Sequence, residues 1–334
     1  MTPLAYRPSA DFRFPGGKRF AFSVFDDTDV ATEPSVRPLY DLFASLGMRT
    51  TKTVWPLRYG GPSNYAGSHT LEDPGYAAFI RELAGRGFEI AFHGATMESS
   101  PREDTERALE LFHATLGFHP RSYASHSNNR ENLYWGPARL RSRVLRRLYP
   151  ALTGEAAHWF QGHVEGSPYF WGDLGLQHLA HVRGFTFDTL NLWRLTPHVC
   201  YEDPLTPWVR DWFISADADN VEEFVRVLDE ASQDRLEREG GLCLLSTHLG
   251  KGFVIDGRVE GRVQRLLAGM ARRDGWFAPV SEILDYLRAC GLVRRISAVD
   301  RHKLEWVWFL HALRRRLKRR TYFKAELQYL GNAE

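Results

Sequence analysis

No run of this chain approaches the roughly 20 uncharged apolar residues that a transmembrane helix requires, and its opening, MTPLAYRPSADFRFPGGKR, holds no apolar signal core. A cytoplasmic protein is expected. Cysteine is scarce: Cys200, Cys243 and Cys290 are odd in number and too widely spaced for a CxxC knuckle or a disulfide framework, so free, partly buried thiols are expected. There is no Gly-rich phosphate loop, GxSxG elbow or HExxH, which removes the commonest nucleotide, serine-hydrolase and zincin readings. No nucleic-acid partner is expected, and neither repeats nor low-complexity tracts occur.

What is present suits a large α/β domain: 334 residues, 43% hydrophobic and 13% aromatic. The net charge of +2 conceals an asymmetry, because Arg294 to Lys324 carries +9 and the remainder −7. Within that stretch, residues 302–320 set Trp306, Leu310, Leu313 and Leu317 at helical spacing before a basic cluster. Such a helix either lies peripherally on an anionic inner-membrane face or meets an acidic protein, or packs its apolar stripe on its own domain. A second basic run, Arg139 to Arg147, reads as the solvated face of a helix beginning near Pro137.

Elsewhere a helical pattern repeatedly stops at a glycine and a strand-like run follows, as in VRPLYDLFASLG before MRTTKTV and YAAFIRELAGRG before FEIAFH. Alternation of this kind predicts a largely parallel sheet, open or closed into a barrel, with strands near 20–25, 49–54, 88–92, 121–125, 184–188, 209–214 and 242–247.

Phe20 to Asp29, FAFSVFDDTD, ends an apolar strand in three carboxylates within four positions. Crowded acids at a buried strand end need a metal, a shared proton or a basic partner; otherwise they open a turn or cap the helix from about Val36. Asp26, Asp27, His93, His126, Asp188 and His248 all fall at or just beyond the C-terminal end of a predicted strand, the edge where such folds build active sites. Carboxylate and imidazole suit a borderline divalent ion such as zinc, while a carboxylate not spent on the metal serves as general base.

In this combination the residues resemble the polysaccharide deacetylases of carbohydrate esterase family 4, over about 20–290. FSVFDDTD resembles the family's first motif, EIAFHG the second, LLSTHLG the last, and GWFAPVSEILDYL the closing strand and helix. The resemblance implies an irregular seven-stranded (β/α) barrel, with Asp26 as catalytic base, Asp27 and His93 as metal ligands and His248 as acid. It also implies hydrolysis of an N-acyl group, most plainly N-acetyl, from a sugar or glycan precursor.

Two departures stand out. The second motif's further histidine is replaced by Met97 in HGATM, leaving His126 as the preferred third ligand, with Asp29 and His163 in reserve. The arginine that orients the base in the family has no evident counterpart, since Arg121 precedes its strand and Arg130 lies in a loop. Around them, Asn128, Tyr169, Trp171 and Asp173 are expected to contact substrate, or else to anchor rim loops. The expected organisation is an extension over 1–14, a barrel over 15–292 and a basic helical tail over 293–334. Two other functions stay open: a same-fold C–N hydrolase of small non-sugar amides, with or without metal, and a silent glycan-binding or scaffold barrel.

Overall fold

The computed structural model describes residues 6, 8–9, 11–126, 128–153 and 158–331. Seven parallel strands form a closed barrel: β1 (Phe20–Asp26), β2 (Thr51–Val54), β3 (Glu89–Phe92), β4 (Ser122–Tyr123), β5 (His181–Phe187), β7 (Asp211–Asp217) and β8 (Gly241–Thr247). Closure comes from β8, which pairs with both β7 and β1. Every expected strand is present, and the sheet is closed rather than open.

Further strands decorate the barrel. β6 (Cys200–Glu202) runs antiparallel beside β7, β9 (Val254–Ile255) and β10 (Arg258–Val259) form a hairpin, and β11 (Gly275–Phe277) adds in parallel to β1. β12 (Arg294–Arg295) pairs with β6. Helices α1 (Glu33–Ser45), α2 (Pro74–Gly85), α3 (Arg102–Leu116), α4 (Arg143–Thr153), α5 (Gly172–His178), α6 (Val221–Val227), α7 (Glu230–Glu239), α8 (Gly261–Ala271), α9 (Val280–Ala289) and α10 (Ala298–Gly331) accompany these strands.

The first βα turn shows why the acids are free for other work. Helix α1 is capped by Thr32, whose side chain accepts from the Ser35 amide while Ser35 Oγ accepts from the Thr32 amide, a reciprocal capping box. No carboxylate of the DDxD run is needed as a cap.

The tail differs from its sequence pattern. Helix α10 buries Leu304 and Trp308, the latter against Phe185 and Tyr149, together with Arg301 and Glu305. Trp306 is half-buried against the core and Leu310 is exposed, so the stripe of Trp306, Leu310 and Leu313 docks only in part, beside the more deeply buried Trp308. Spacing alone does not separate two adjacent apolar stripes on one helix; the aromatic and arginine partners of Trp308 do. With β12 paired to β6, chain beyond 292 is packed onto the barrel; side chains from residue 315 onward, including Leu317, lie outside the described residues. Among the described residues no helix is long and apolar enough to cross a membrane.

Candidate active site

Strand β1 alternates its side chains, and this sorts the three acids. Phe25 faces inward, its ring 5.6 Å from Phe213 and 5.2 Å from the Arg183 guanidinium carbon. Asp27 shares that face. Asp26 points the other way, toward the helix layer, where its Oδ2 accepts from Tyr40 of α1 at 2.9 Å and stands 2.9 Å from Lys52 Nζ. Its Oδ1 accepts from the Leu249 amide, and the residue is fully buried. Asp26, expected as the base, is therefore enclosed in an ion pair outside the barrel lumen, because the alternation runs through it rather than ending there.

Asp27 is gripped by Arg183 of β5, which donates to both carboxylate oxygens at 2.8 and 2.6 Å and to Ser246 Oγ at 2.9 Å. Burial alone would raise this carboxyl; the charge of Arg183, with His93 and His248, outweighs it and holds Asp27 below its ordinary value. Both Asp27 oxygens are thus engaged by one guanidinium.

Asp29 is where the imidazoles converge. Its Oδ1 lies 3.2 Å from His93 Nε2, and its Oδ2 lies 3.2 Å from His248 Nε2 and 3.6 Å from His126 Nε2. Lys251 Nζ stands 3.9 Å away. Burial acts to raise Asp29, but the contacts with His126, His248 and His93 hold it well below the usual carboxylate range. The next residue, Val30, has φ 52°, a left-handed conformation that β-branched residues avoid.

Neighbours lock two of the imidazoles. His248 Nδ1 is 2.8 Å from the Asp219 carbonyl, which only accepts, so the proton is on Nδ1. Asn129 spends its amide nitrogen on the Glu98 carbonyl and Glu131 Oε1, presenting Oδ1 to His126 Nδ1 at 3.3 Å. Both rings thus turn Nε2 toward Asp29, and His126 Nε2 has no hydrogen-bond partner among the described residues. Burial opposes charge on His248, yet the hydrogen bonds to Asp219 and Asp29 and the charges of Asp27 and Asp29 raise it to about 10. His93, fully enclosed, is pushed down by burial despite Asp27 and Asp29.

A carboxylate with imidazole Nε2 atoms fixed from behind is a donor set that suits a borderline divalent ion. The carboxylate on which the imidazoles converge is Asp29, whereas Asp27, the expected ligand, is paired with Arg183. In the arrangement described, the imidazoles meet the carboxylate directly, and the one described trio of ligand atoms lying within 4.8 Å of one another is elsewhere: His181, Cys200 and Asp211. That trio sits at the opposite, N-terminal end of the barrel strands. Its Asp211 is held by Arg288, and its His181 is 3.2 Å from Asp285, itself paired with Arg121.

The expected substrate contacts separate. Trp171 is 1% exposed, donates to the Glu131 carbonyl at 2.6 Å and packs edge-on to Tyr123 and Phe92, so it is a core pin and offers no face to a sugar. Asp173 forms a two-bond pair with Arg102 at 2.7 and 2.9 Å. Tyr169 lies on the rim, its ring 4.6 Å from the Arg130 guanidinium carbon, and exposed Asn128 accepts from Trp159 through its carbonyl. Met97 is buried, and Asp188 stands 3.5 Å from Arg226, apart from the Asp29 cluster. Gly162 anchors this loop layer: a Cβ there would come 1.8 Å from the Glu131 carbonyl oxygen.

No family model and no curated protein matches this sequence. Solved structures do. The crystal structure of Puue allantoinase is similar over 83% of this chain and 92% of its own, at 14% identity and a TM-score of 0.48. A probable polysaccharide deacetylase from Pseudomonas aeruginosa PAO1 is similar over 83% and 93%, at 14% identity and 0.46. The catalytic domain of a peptidoglycan N-acetylglucosamine deacetylase from Eubacterium rectale ATCC 33656 is similar over 87% and 94%, at 14% identity and 0.36. The likeness is one of fold.

Arg183, Asp219, Lys251 and Glu131 were not singled out from sequence. The signal for Arg183 was available: an arginine within HVRGFTF, an otherwise apolar strand, must meet a buried acid. Glu131, 1% exposed and pushed by burial to about 7, sits in a loop with no pattern of its own.

Proposed function

We propose that the chain hydrolyses a C–N amide bond, removing an N-acyl group, most plainly N-acetyl, from a sugar or glycan precursor. The observation that carries the reading is the division of labour between two inward carboxylates two residues apart: Asp27 fixed by Arg183, and Asp29 gathering three imidazoles. The sugar substrate rests on the motif resemblance.

Asp29, His93 and His126 would hold a divalent ion, for which zinc fits the donors; when bound it would acidify a water and polarise the acyl carbonyl. Asp27, ionised and held by two bonds from Arg183, takes the proton of the attacking water. His248 is protonated at neutral pH and delivers a proton from Nε2 to the departing amine, while its Nδ1 remains on Asp219. The catalytic role expected for Asp26 passes to Asp27, and the ligand role expected for Asp27 passes to Asp29.

The test is acetate release from N-acetylated amino-sugar oligomers. Asp27→Asn and His248→Ala should each lose turnover by about 10²–10⁴-fold, the usual worth of a positioned acid or base. Turnover that survives Asp27→Asn sinks the assignment, and a wild-type protein inert on every N-acyl substrate favours the silent barrel.

One observation favours a second reading. Lys251 brings an ammonium to 3.9 Å from Asp29 while the position of the family's second histidine is a buried methionine, so the chain supplies its own cation beside that carboxylate. A small-amide hydrolase working without metal accounts for both features. Full activity of chelator-stripped, metal-free protein would select it.

A further inference from the structure

We propose that the flank of the barrel carries a second site, built by Arg139, Arg141, Arg146 and Arg301, that binds the phosphoryl group of a phosphate monoester. Three arginines of the run expected to be a solvated face, Arg139, Arg141 and Arg146, line a cavity of about 340 Å³, within the range of small-molecule sites, while Arg143 and Arg147 are exposed and line no part of it. No residue of the Asp29 cluster lines it.

The cavity is short of negative charge. Asp203 is its one lining carboxylate; it is 4% exposed, contacts Arg141 Nη2 and lies 3.1 Å from Arg301 Nε. Glu305 behind it is already committed to the amides of Arg141 and Ser142, at 2.7 and 2.9 Å. Four guanidinium groups against two carboxylates leave an excess of two positive charges. Arg301 is 4% exposed, and its Nη1, like Arg139 Nε and Arg141 Nε, is a buried donor without a hydrogen-bond partner among the described residues. Leaving such donors unmet is costly, and they mark a region short of acceptors.

The donors are also held in place. The Arg139 guanidinium lies over Trp135 and Trp308, 3.9 and 4.8 Å from the ring centroids, and Arg146 fastens Nε and Nη2 to the Leu140 carbonyl. His163, on the wall, accepts from the Tyr134 amide through Nδ1, and burial lowers it to about 4. At neutral pH it is an uncharged ring with its proton on Nε2, another donor. Burial, then the charge of Arg301, pushes the Arg141 guanidinium down. Planar, fixed guanidinium donors match phosphate oxygens in pairs.

Phosphoryl groups reach such a site as soluble esters or as lipid headgroups, and two arms separate them. Calorimetric titration of the full chain with glycerol phosphate and inorganic pyrophosphate should show saturable binding, weakened about tenfold or more by Arg139→Gln and by Arg146→Gln, the worth of one charge-assisted contact. Arg139→Lys should weaken it less. Asp29→Asn should leave it unchanged, so the outcome is independent of the proposed hydrolysis. Cosedimentation with phosphatidylcholine vesicles containing phosphatidic acid, lost in Arg139→Gln and not competed by the soluble esters, assigns a headgroup; soluble binding without cosedimentation assigns a free ester. Absence of binding in both arms, or binding indifferent to both glutamine variants while their unliganded melting temperatures match wild type, overturns the site.

Discussion

Arg183 reaches across the barrel lumen to hold both oxygens of Asp27, at 2.8 and 2.6 Å, and both residues are about 5% exposed. Removing one partner of such a buried pair strands the other charge, at about 3–5 kcal/mol. Arg183→Met should therefore lower urea stability by that order and abolish turnover, whereas Asp27→Asn/Arg183→Met should recover part of the stability and none of the activity. A double variant no more stable than Arg183→Met would show that the pair is not coupled as described.

Asp26 provides the contrasting case. It is closed in with Lys52 and Tyr40, so Asp26→Asn should act on stability, costing about 3–5 kcal/mol through the uncompensated Lys52, with kcat of the folded fraction nearly intact. Equilibrium unfolding together with kcat per active site decides this. A normal stability with lost kcat would return the base role to Asp26.

Metal content discriminates between Asp27 and Asp29. Near-stoichiometric zinc or a similar ion in purified protein should be lost in Asp29→Ala and reduced in His126→Ala, and retained in Asp26→Asn. Loss in Asp27→Asn alone, with retention in Asp29→Ala, would restore the ligand set expected from the motif.

Glu131 predicts a pH dependence of stability. Burial raises its folded pKa from 4.5 to about 7, so the folded state binds this proton more tightly than the unfolded state. Its contribution is fully present below about pH 4.5 and is lost as pH rises through 7, by about 3 kcal/mol in all. Glu131→Gln should flatten that part of the profile. It should also start from lower stability, because one glutamine amide must face a donor, either the Ser100 amide or Asn129 Nδ2. A profile of unchanged slope in Glu131→Gln would assign the dependence to another group.

Much of the fold was legible because its signals are local. Glycine stops after amphipathic helices and short apolar runs marked all seven barrel strands, and the histidines at strand ends marked the working edge. Arg183 carries a local signal, an arginine in an apolar strand, but which acid it meets depends on a partner 156 residues away. Trp171 and Asp173 carry two readings in the sequence, because aromatic and acidic residues in a Gly-rich loop look the same whether they face a pocket or pin that loop to Glu131 and Arg102. Spacing does not say which side of α10 lies deepest, because Trp306 and Trp308 differ by two positions on a helix with apolar residues on both sides; contacts with Phe185 and Tyr149 bury Trp308 further.

By itself, the sequence determined that three acids end the first strand on an edge shared with His93, His126 and His248, since apolar runs and their punctuation depend on neighbours in the chain. Only the tertiary structure decided which partner each acid meets. Strand alternation carried through Asp26 and sent it to Lys52 and Tyr40, while Asp27 met Arg183 and Asp29 met the imidazoles. The charge state of each acid depends on which charged group lies within about 3 Å of it, and closing a barrel is what brings residues more than a hundred positions apart to that distance.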